Sequence, residues 1–455
     1  MKRKIIVFAL AACLLLGIAA VPASAVGGFK DVPEDSYYAA AVDWAVKCGV
    51  TKGISEDEFG ADVICTRGQI VTFLWRAQGC PEPKSYENPF EDVPEGSYYE
   101  QAVLWAVEKG ITNGTSEEPK LFSPDDTCTY AHIITFLWRA NGSPEPKDYS
   151  PLTRGWDQEL YYKQAVEWGD NNAMFEDLGG TFEAETPCTR ARTVMWLYLN
   201  SRRYVSDVAG LVAAVGSNRD IFLEPGVYNL TAWIKNIMQE DPWKTGNDHV
   251  GVENTYDGWE VQILNVRNLG IHAMNPEGGK VEIVVEPRYS NVLSFFFCEY
   301  LTLDGLTLGH TPDKGYCQGA VLHFDNCGDI DLKNLDLYGC GTYGIAARNT
   351  YGLTMSDSVI RECSYGLLEL YWTEATFKNV TFKDTEAVLS LLDATGSKLV
   401  FEKCVFENNT WDSYGGFLPR DDSSTLYFNG CEFDQPEYDA VHNSPRLGKT
   451  VFMTD

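Results

Sequence analysis

The sequence predicts a multidomain chain, an all-α bundle of three repeats followed by an all-β parallel solenoid, on three observations. CTRGQIVTFLWRA from Cys65 to Ala77 recurs as CTYAHIITFLWRA from Cys128 to Ala140 and as CTRARTVMWLYLN from Cys188 to Asn200. Trp44, Trp105 and Trp168 precede those segments at spacings of 61 and 63 residues. Past Arg203 this pattern stops, and a nine-residue phrase of strand type recurs six times. Fixed periods of this length are the mark of repeat architectures. The expected boundaries are 1–25 for an export leader, 26–84, 85–147 and 148–203 for the helical units, the third degenerate, and 204–455 for the solenoid.

At the start of the chain, Lys2, Arg3 and Lys4 precede an apolar run from Ile5 to Val21, and Ala23, Ser24 and Ala25 supply small residues for cleavage. This reads as a signal peptide. The rival readings are a retained membrane anchor and a lipoprotein cleaved before Cys13; the apolar run is at the short end of a membrane span. The formal charge is -29, and loss of the basic leader makes it more negative. Such a surface repels nucleic acid and anionic membranes, so an anionic ligand requires local arginines.

Thirteen cysteines are present. Cys65, Cys128 and Cys188 share one position of three repeats, and Cys404 and Cys431 share one position of the second repeat, as small buried apolar residues would. Mostly free thiols are expected. No Cys/His spacing suits zinc, and neither a metal nor a cofactor is expected.

Each helical unit divides in two. Tyr38, Ala41, Val42, Ala45 and Val46 fall at helical spacing, with Asp35 or Ser36 as the cap and Gly49 as the stop. Ile70, Phe73 and Leu74 lie on one stripe of a second helix capped by Thr66. Phe59, answered by Phe122 and Phe182, is expected to pin the intervening loop to the core. A lone pair of such helices buries too little, so three pairs should pack together.

The order FxDV, YY, AVxWA, G[VI]TxG, F, TR and a helix ending in LWRA resembles the S-layer homology module, in three copies over residues 26 to 203. The resemblance implies non-covalent binding of secondary cell-wall polysaccharide, often pyruvylated, at an exported, bacterial cell-surface location. It also implies that the arginine of the TR motif lies in the grooves between repeats and reads the anionic sugar, a role for which a planar guanidinium suits a carboxylate. By position that role falls to Arg67 and Arg190, with Trp44 and Trp105 as secondary candidates. The second copy has Tyr130 there, which implies a weakened groove. The competing reading of the arginines is a helix-start salt bridge with a neighbouring acid, and of the tryptophans, plain core.

The solenoid phrase reads YLTLDGLTL, DIDLKNLDL, GLTMSDSVI, EATFKNVTF, KLVFEKCVF and TLYFNGCEF, with starts 29, 23, 22, 24 and 27 residues apart. Apolar residues at its second and fourth, then seventh and ninth positions break the strand alternation once. A bend is therefore expected at Gly305, Asn334, Asp357, Asn379, Lys403 and Gly430, most of them residues that tolerate left-handed backbone. Inward ladders then run through Leu306, Leu335, Ser358, Val380, Cys404 and Cys431, and through Leu308, Leu337, Ile360, Phe382, Phe406 and Phe433. A third strand follows a variable loop as AVLHFDN, GIAARNT, GLLELYW, AVLSLLD and GFLPRDD.

Together these segments resemble a right-handed parallel β-helix of the pectin-lyase-like type, with Asp207 to Val215 as the capping helix, IFLEPGVY from Ile221 as the opening coil and an insertion from Thr231 to Trp259. That scaffold serves lyases, hydrolases, adhesins and inert stalks alike. The polygalacturonase signatures GHG and RIK are absent from the sequence.

With Leu322 and Phe324, Leu368 and Leu370, and Leu389 and Leu391 facing inward, His323, Asp325, Glu369, Tyr371 and Asp421 face outward on one surface, with Arg348 and Arg420 nearby. Acid, arginine and aromatic on one face suit a glycan, and Asp325 and Glu369 are the weak catalytic candidates. The bland alternative is a solvated polar face. Two functions stay open: a wall-anchored adhesin or spacer, and a wall-anchored polysaccharide lyase or glycoside hydrolase acting on an external glycan.

Overall fold

The computed structural model describes residues 26–146, 150–240, 245–274, 279–311, 319–339, 343–388, 390–412, 415–419 and 422–454. The leader, Leu389, Arg420 and Asp421 lie outside the described residues.

Six helices build the front of the chain: α1 (Ala39–Lys47), α2 (Arg67–Ala77), α3 (Glu100–Glu108), α4 (Tyr130–Ala140), α5 (Lys163–Asn171) and α6 (Arg190–Ser201). Each second helix packs on the first helix of the next unit: α2 on α3, α4 on α5, and α6 back on α1. The three units therefore close into a pseudo-threefold ring. At its centre Cys65 N–H donates to the Cys188 carbonyl (2.9 Å), Cys128 N–H to Cys65 (3.0 Å) and Cys188 N–H to Cys128 (2.8 Å). The shared cysteine position is small and buried because three backbones meet there.

The Thr66 hydroxyl accepts from Gln69 N–H while the Gln69 side chain accepts from Thr66 N–H, so α2 starts on a capping box. The cap expected for α1 at Asp35 or Ser36 is not made. A preceding turn replaces it, because Ala39 N–H already donates to the Ser36 carbonyl at 3.0 Å. Phe59, Phe122 and Phe182 are buried as expected. The FxDV aspartates position the first two: the Asp31 carboxylate accepts from Phe59 and Gly60 N–H (both 2.7 Å), and Asp92 accepts from Phe122 (2.8 Å) and Ser123 (2.6 Å).

α6 runs without a linker into the strand Arg202–Val205, which pairs in parallel with Arg219–Leu223. The C-terminal ends of two other helices rest on this first coil. Asn218 Nδ2 donates to the carbonyls of Arg76 (3.2 Å) and Ala77 (3.4 Å) of α2, and Arg203 Nη2 donates to Asn141 Oδ1 (3.1 Å) beyond α4. Helix C-termini carry partial negative charge, so arginine and amide donors are the suitable contact.

Behind this junction, three sheets of ten, eight and seven strands among the described residues wind as a β-solenoid, parallel except where Val250–Asn254 runs antiparallel to Trp259–Leu264. All six expected bend residues have left-handed backbone, from φ 48 at Asp357 to 73 at Gly305, including Lys403 at 54. Both inward ladders form. Phe382, Phe406 and Phe433 stack at 4.8 and 5.1 Å, and Phe377, Phe401 and Phe428 stack beside them at 5.2 and 4.9 Å. The capping helix is Val208–Ala214, held by Asp207, and the insertion begins with the helix Leu230–Glu240.

One register differs from expectation. Leu368 pairs with Leu392 and Leu370 with Ala394, so Leu392 and Ala394 take the inward strand positions and Leu391 does not. Glu386–Ala387 is drawn into a separate short strand with Thr410–Trp411, which delays the start of the third strand in that coil. Leu391 is still buried, but in the turn ahead of the strand.

Candidate functional site

Two groups of residues carry chemistry. In the bundle, Arg67 Nε donates to the Phe122 carbonyl (2.9 Å) and Nη2 to Thr112 Oγ1 (3.5 Å), with its guanidinium 5.0 Å from the Phe122 ring and 5.3 Å from that of Phe136. Arg190 repeats this one unit on. Its Nε donates to the Phe59 carbonyl (2.9 Å) and Nη2 to Thr51 (2.8 Å), between the rings of Phe59 and Phe73. Each arginine thus reaches from the start of its helix into the next unit of the ring.

They are 5 and 4% exposed, and burial works against their charge. No ion pair is made by either among the described residues, so the helix-start salt bridge is not what holds them. Their direct partners are neutral carbonyls and hydroxyls, and carboxylates act on them only without contact, Asp126 and Asp92 on Arg67 and Asp31 on Arg190.

The second groove differs. Tyr130 packs on Trp196 (4.8 Å) and Phe182 (6.1 Å), while Arg192 lies over the Tyr130, Tyr37 and Trp196 rings and is neutralised by Asp177 at 2.7 Å. Trp44 and Trp105 are 8 and 4% exposed and belong to the bundle core; Trp44 lies 5.8 Å from Tyr198.

On the solenoid, the outward face of the seven-stranded sheet sets two columns side by side. One runs Ser294, His323, Ala346, Glu369, Asp393; the other runs Phe296, Asp325, Arg348, Tyr371, Thr395. The structure therefore brings His323, Asp325, Arg348, Glu369 and Tyr371 together as the sequence implied. Arg348 sits between Asp325 and Tyr371 on neighbouring coils, 5.8 Å from the Tyr371 ring.

Asp393 and Tyr343 were missed, Asp393 because of the register shift. Its neighbour Glu369 is one coil away, about 4.8 Å along the stack. Burial and then Asp393 push the Glu369 carboxyl up, against the pull of Arg348. Burial, Asp393 and Glu369 likewise raise the Tyr343 hydroxyl. His323 is pushed down by burial, and its Nδ1 is buried with no partner. The face thus sets two carboxyls beside an imidazole and a guanidinium. Among the described residues no group of three or more His, Cys, Asp or Glu side chains could hold a metal ion, and no helix is long and apolar enough to cross a membrane.

Comparison with known proteins matches residues 28–71 and 89–134 to the S-layer homology domain, and residues 313–447 to the right handed beta helix region. The chain is 30% identical over 144 residues to a cell surface protein of Thermoanaerobacter kivui, covering 31% of this chain and 19% of that one. It is 20% identical over 353 residues to the S-layer protein EA1 of Bacillus anthracis, covering 74 and 38%. The chain thus spans well under half the length of these curated relatives. Among solved structures, pectate lyase Pel9A is 13% identical, with a TM-score of 0.29 over 51% of this chain and 77% of that one. S-layer homology domains therefore precede a right-handed β-helix, and the protein is an extracellular protein of the cell surface.

Proposed function

We propose that the three helix pairs, the third included as a degenerate S-layer homology repeat, anchor the chain non-covalently to an anionic, pyruvylated secondary cell-wall polysaccharide. The solenoid then displays a glycan-binding face as an adhesin or spacer. The observation that carries the anchoring is the pair Arg67 and Arg190, buried cations in equivalent grooves with neutral partners on the protein side. A ketal carboxylate would complete them, and the overall charge of -29 excludes anion capture by bulk attraction. The test is sedimentation of the purified chain with cell-wall sacculi, before and after chemical removal of the polysaccharide. Retention only on untreated walls, lost on Arg67→Ala with Arg190→Ala, supports the reading; equal retention on stripped walls removes it.

A catalytic reading has one observation in its favour, the stacked Glu369 and Asp393 carboxyls, since glycosidases use paired carboxyls about 5 to 9 Å apart. Reducing-end and unsaturation assays on neutral and uronic polysaccharides separate the two. Binding without product upholds display; product lost on Glu369→Gln establishes an enzyme.

A further inference from the structure

The seam between bundle and solenoid forms an open cleft of about 740 Å³ that neither the anchoring nor the glycan-binding face uses. Its floor is the outward face of the ten-stranded sheet. Asp220, Gly270, Thr302 and Asp331 occupy one register column on four successive strands, so the floor runs about 14 Å from the first to the last at parallel-strand spacing. Its roof is α1, with Trp44 and Lys47, and Tyr198 of α6. Tyr300 and Asp329 stand at the edge.

Several features make this a formed slot rather than a gap between loosely joined parts. α6 enters the sheet with no linker residue, and Asn218 and Arg203 tie the other two helix pairs to the same coil. Gly270 lets the Asp220 carboxylate and the His272 ring close over the floor at that point, 3.3 Å apart, where a Cβ would collide with both. Cavities of about 300 to 1,000 Å³ at domain interfaces, with apolar walls and a few placed polar groups, are the usual form of small-molecule sites.

The lining selects the ligand. Aromatic side chains above and a row of carboxylates and a hydroxyl below match a chain of pyranose rings, whose C–H faces stack on aromatics and whose hydroxyls donate to carboxylates. Asp43 is paired with Lys47 (2.6 Å), Asp331 with Lys333 (2.8 Å), and Asp220 lies 3.3 Å from His272, so the one lining cation, Lys47, is already engaged and the slot disfavours acidic sugars. We propose that this seam is a second saccharide site, taking a short oligosaccharide of neutral or amino sugars. Its charge preference is opposite to that of the arginine grooves.

The test is calorimetric titration of the full chain with glucosamine trisaccharide, N-acetylglucosamine trisaccharide and trigalacturonate. Saturable millimolar or tighter binding of a non-acidic trimer, with none for trigalacturonate, is expected. Ala40→Trp plugs the slot from an exposed position on α1 and should weaken binding at least about tenfold, or 1.4 kcal/mol. Asp331→Asn, at a part-exposed site, should weaken the glucosamine trimer more than its N-acetylated form. Sedimentation with sacculi should be unchanged in Ala40→Trp, which separates the two sites. Absence of saturation by both non-acidic trimers, preference for trigalacturonate, or wild-type affinity in Ala40→Trp would each overturn the proposal.

Discussion

Cys65 N–H donates to the Cys188 carbonyl at 2.9 Å, joining residues from the first and last helical units and closing a ring that Cys128 completes. The ring makes the three units one cooperative body, because the pairing at each junction depends on the other two. Burial pushes the Cys128 and Cys188 thiols up to about 12, so both stay protonated and unreactive at neutral pH.

Brief alkylation of the native chain at pH 8 should therefore label Cys80, which is exposed, and spare Cys65, Cys128 and Cys188. Peptide mapping by mass spectrometry reads the pattern. Cys128→Ser should lower stability by about 1–3 kcal/mol by placing a hydroxyl in a dry centre, seen as a fall in Tm that Cys80→Ser does not show.

Asp92→Ala should act on wall binding without touching ligand. It removes a charged acceptor for two N–H groups and frees the loop whose Phe122 carbonyl holds Arg67. The expected cost is about 1.5–3 kcal/mol for hydrogen bonds to a charged group, with a parallel loss of sedimentation with sacculi. A fall in stability with full retention on walls would uncouple the loop from the groove.

Glu369 carries a pH signature. Its carboxyl is raised in the fold, so the folded state binds that proton more tightly than the unfolded chain. The stability it contributes is complete below the unfolded value near 4.5 and is lost as pH rises through the folded value. Glu369→Gln should raise Tm relative to the parent at pH 7 and leave it nearly unchanged at pH 4, as followed by circular dichroism. A larger gain at pH 4 would contradict the assignment.

At the bends, Lys403 holds left-handed backbone where Asn334 and Asn379 do so more readily. Each of those asparagines also donates to an aspartate on the preceding coil, Asn334 to Asp304 and Asn379 to Asp357, both at 2.7 Å. Lys403→Asn should stabilise the solenoid by about 0.5–1 kcal/mol, part of the left-handed penalty of about 1–2 kcal/mol. Phe406→Ala, at the centre of the aromatic stack, should cost about 3–5 kcal/mol. Urea denaturation curves measure both.

The sequence by itself determined what short-range spacing encodes. The sixty-residue period, the helix under Thr66, the six bends and the two inward ladders were all legible, because each follows from local alternation and from which residues tolerate left-handed backbone. The outward cluster of His323, Asp325, Arg348, Glu369 and Tyr371 was legible for the same reason. Only the tertiary structure decided the rest. Asp393 joined Glu369 because Glu386–Ala387 paired with Thr410–Trp411 and shifted a register, a choice between strands that no single segment contains. The cysteine ring, the carbonyl partners of Arg67 and Arg190 and the slot under Trp44 likewise depend on backbones brought together from far along the chain. Spacing specifies what a segment can form; burial and hydrogen-bond closure between segments choose which partners it meets.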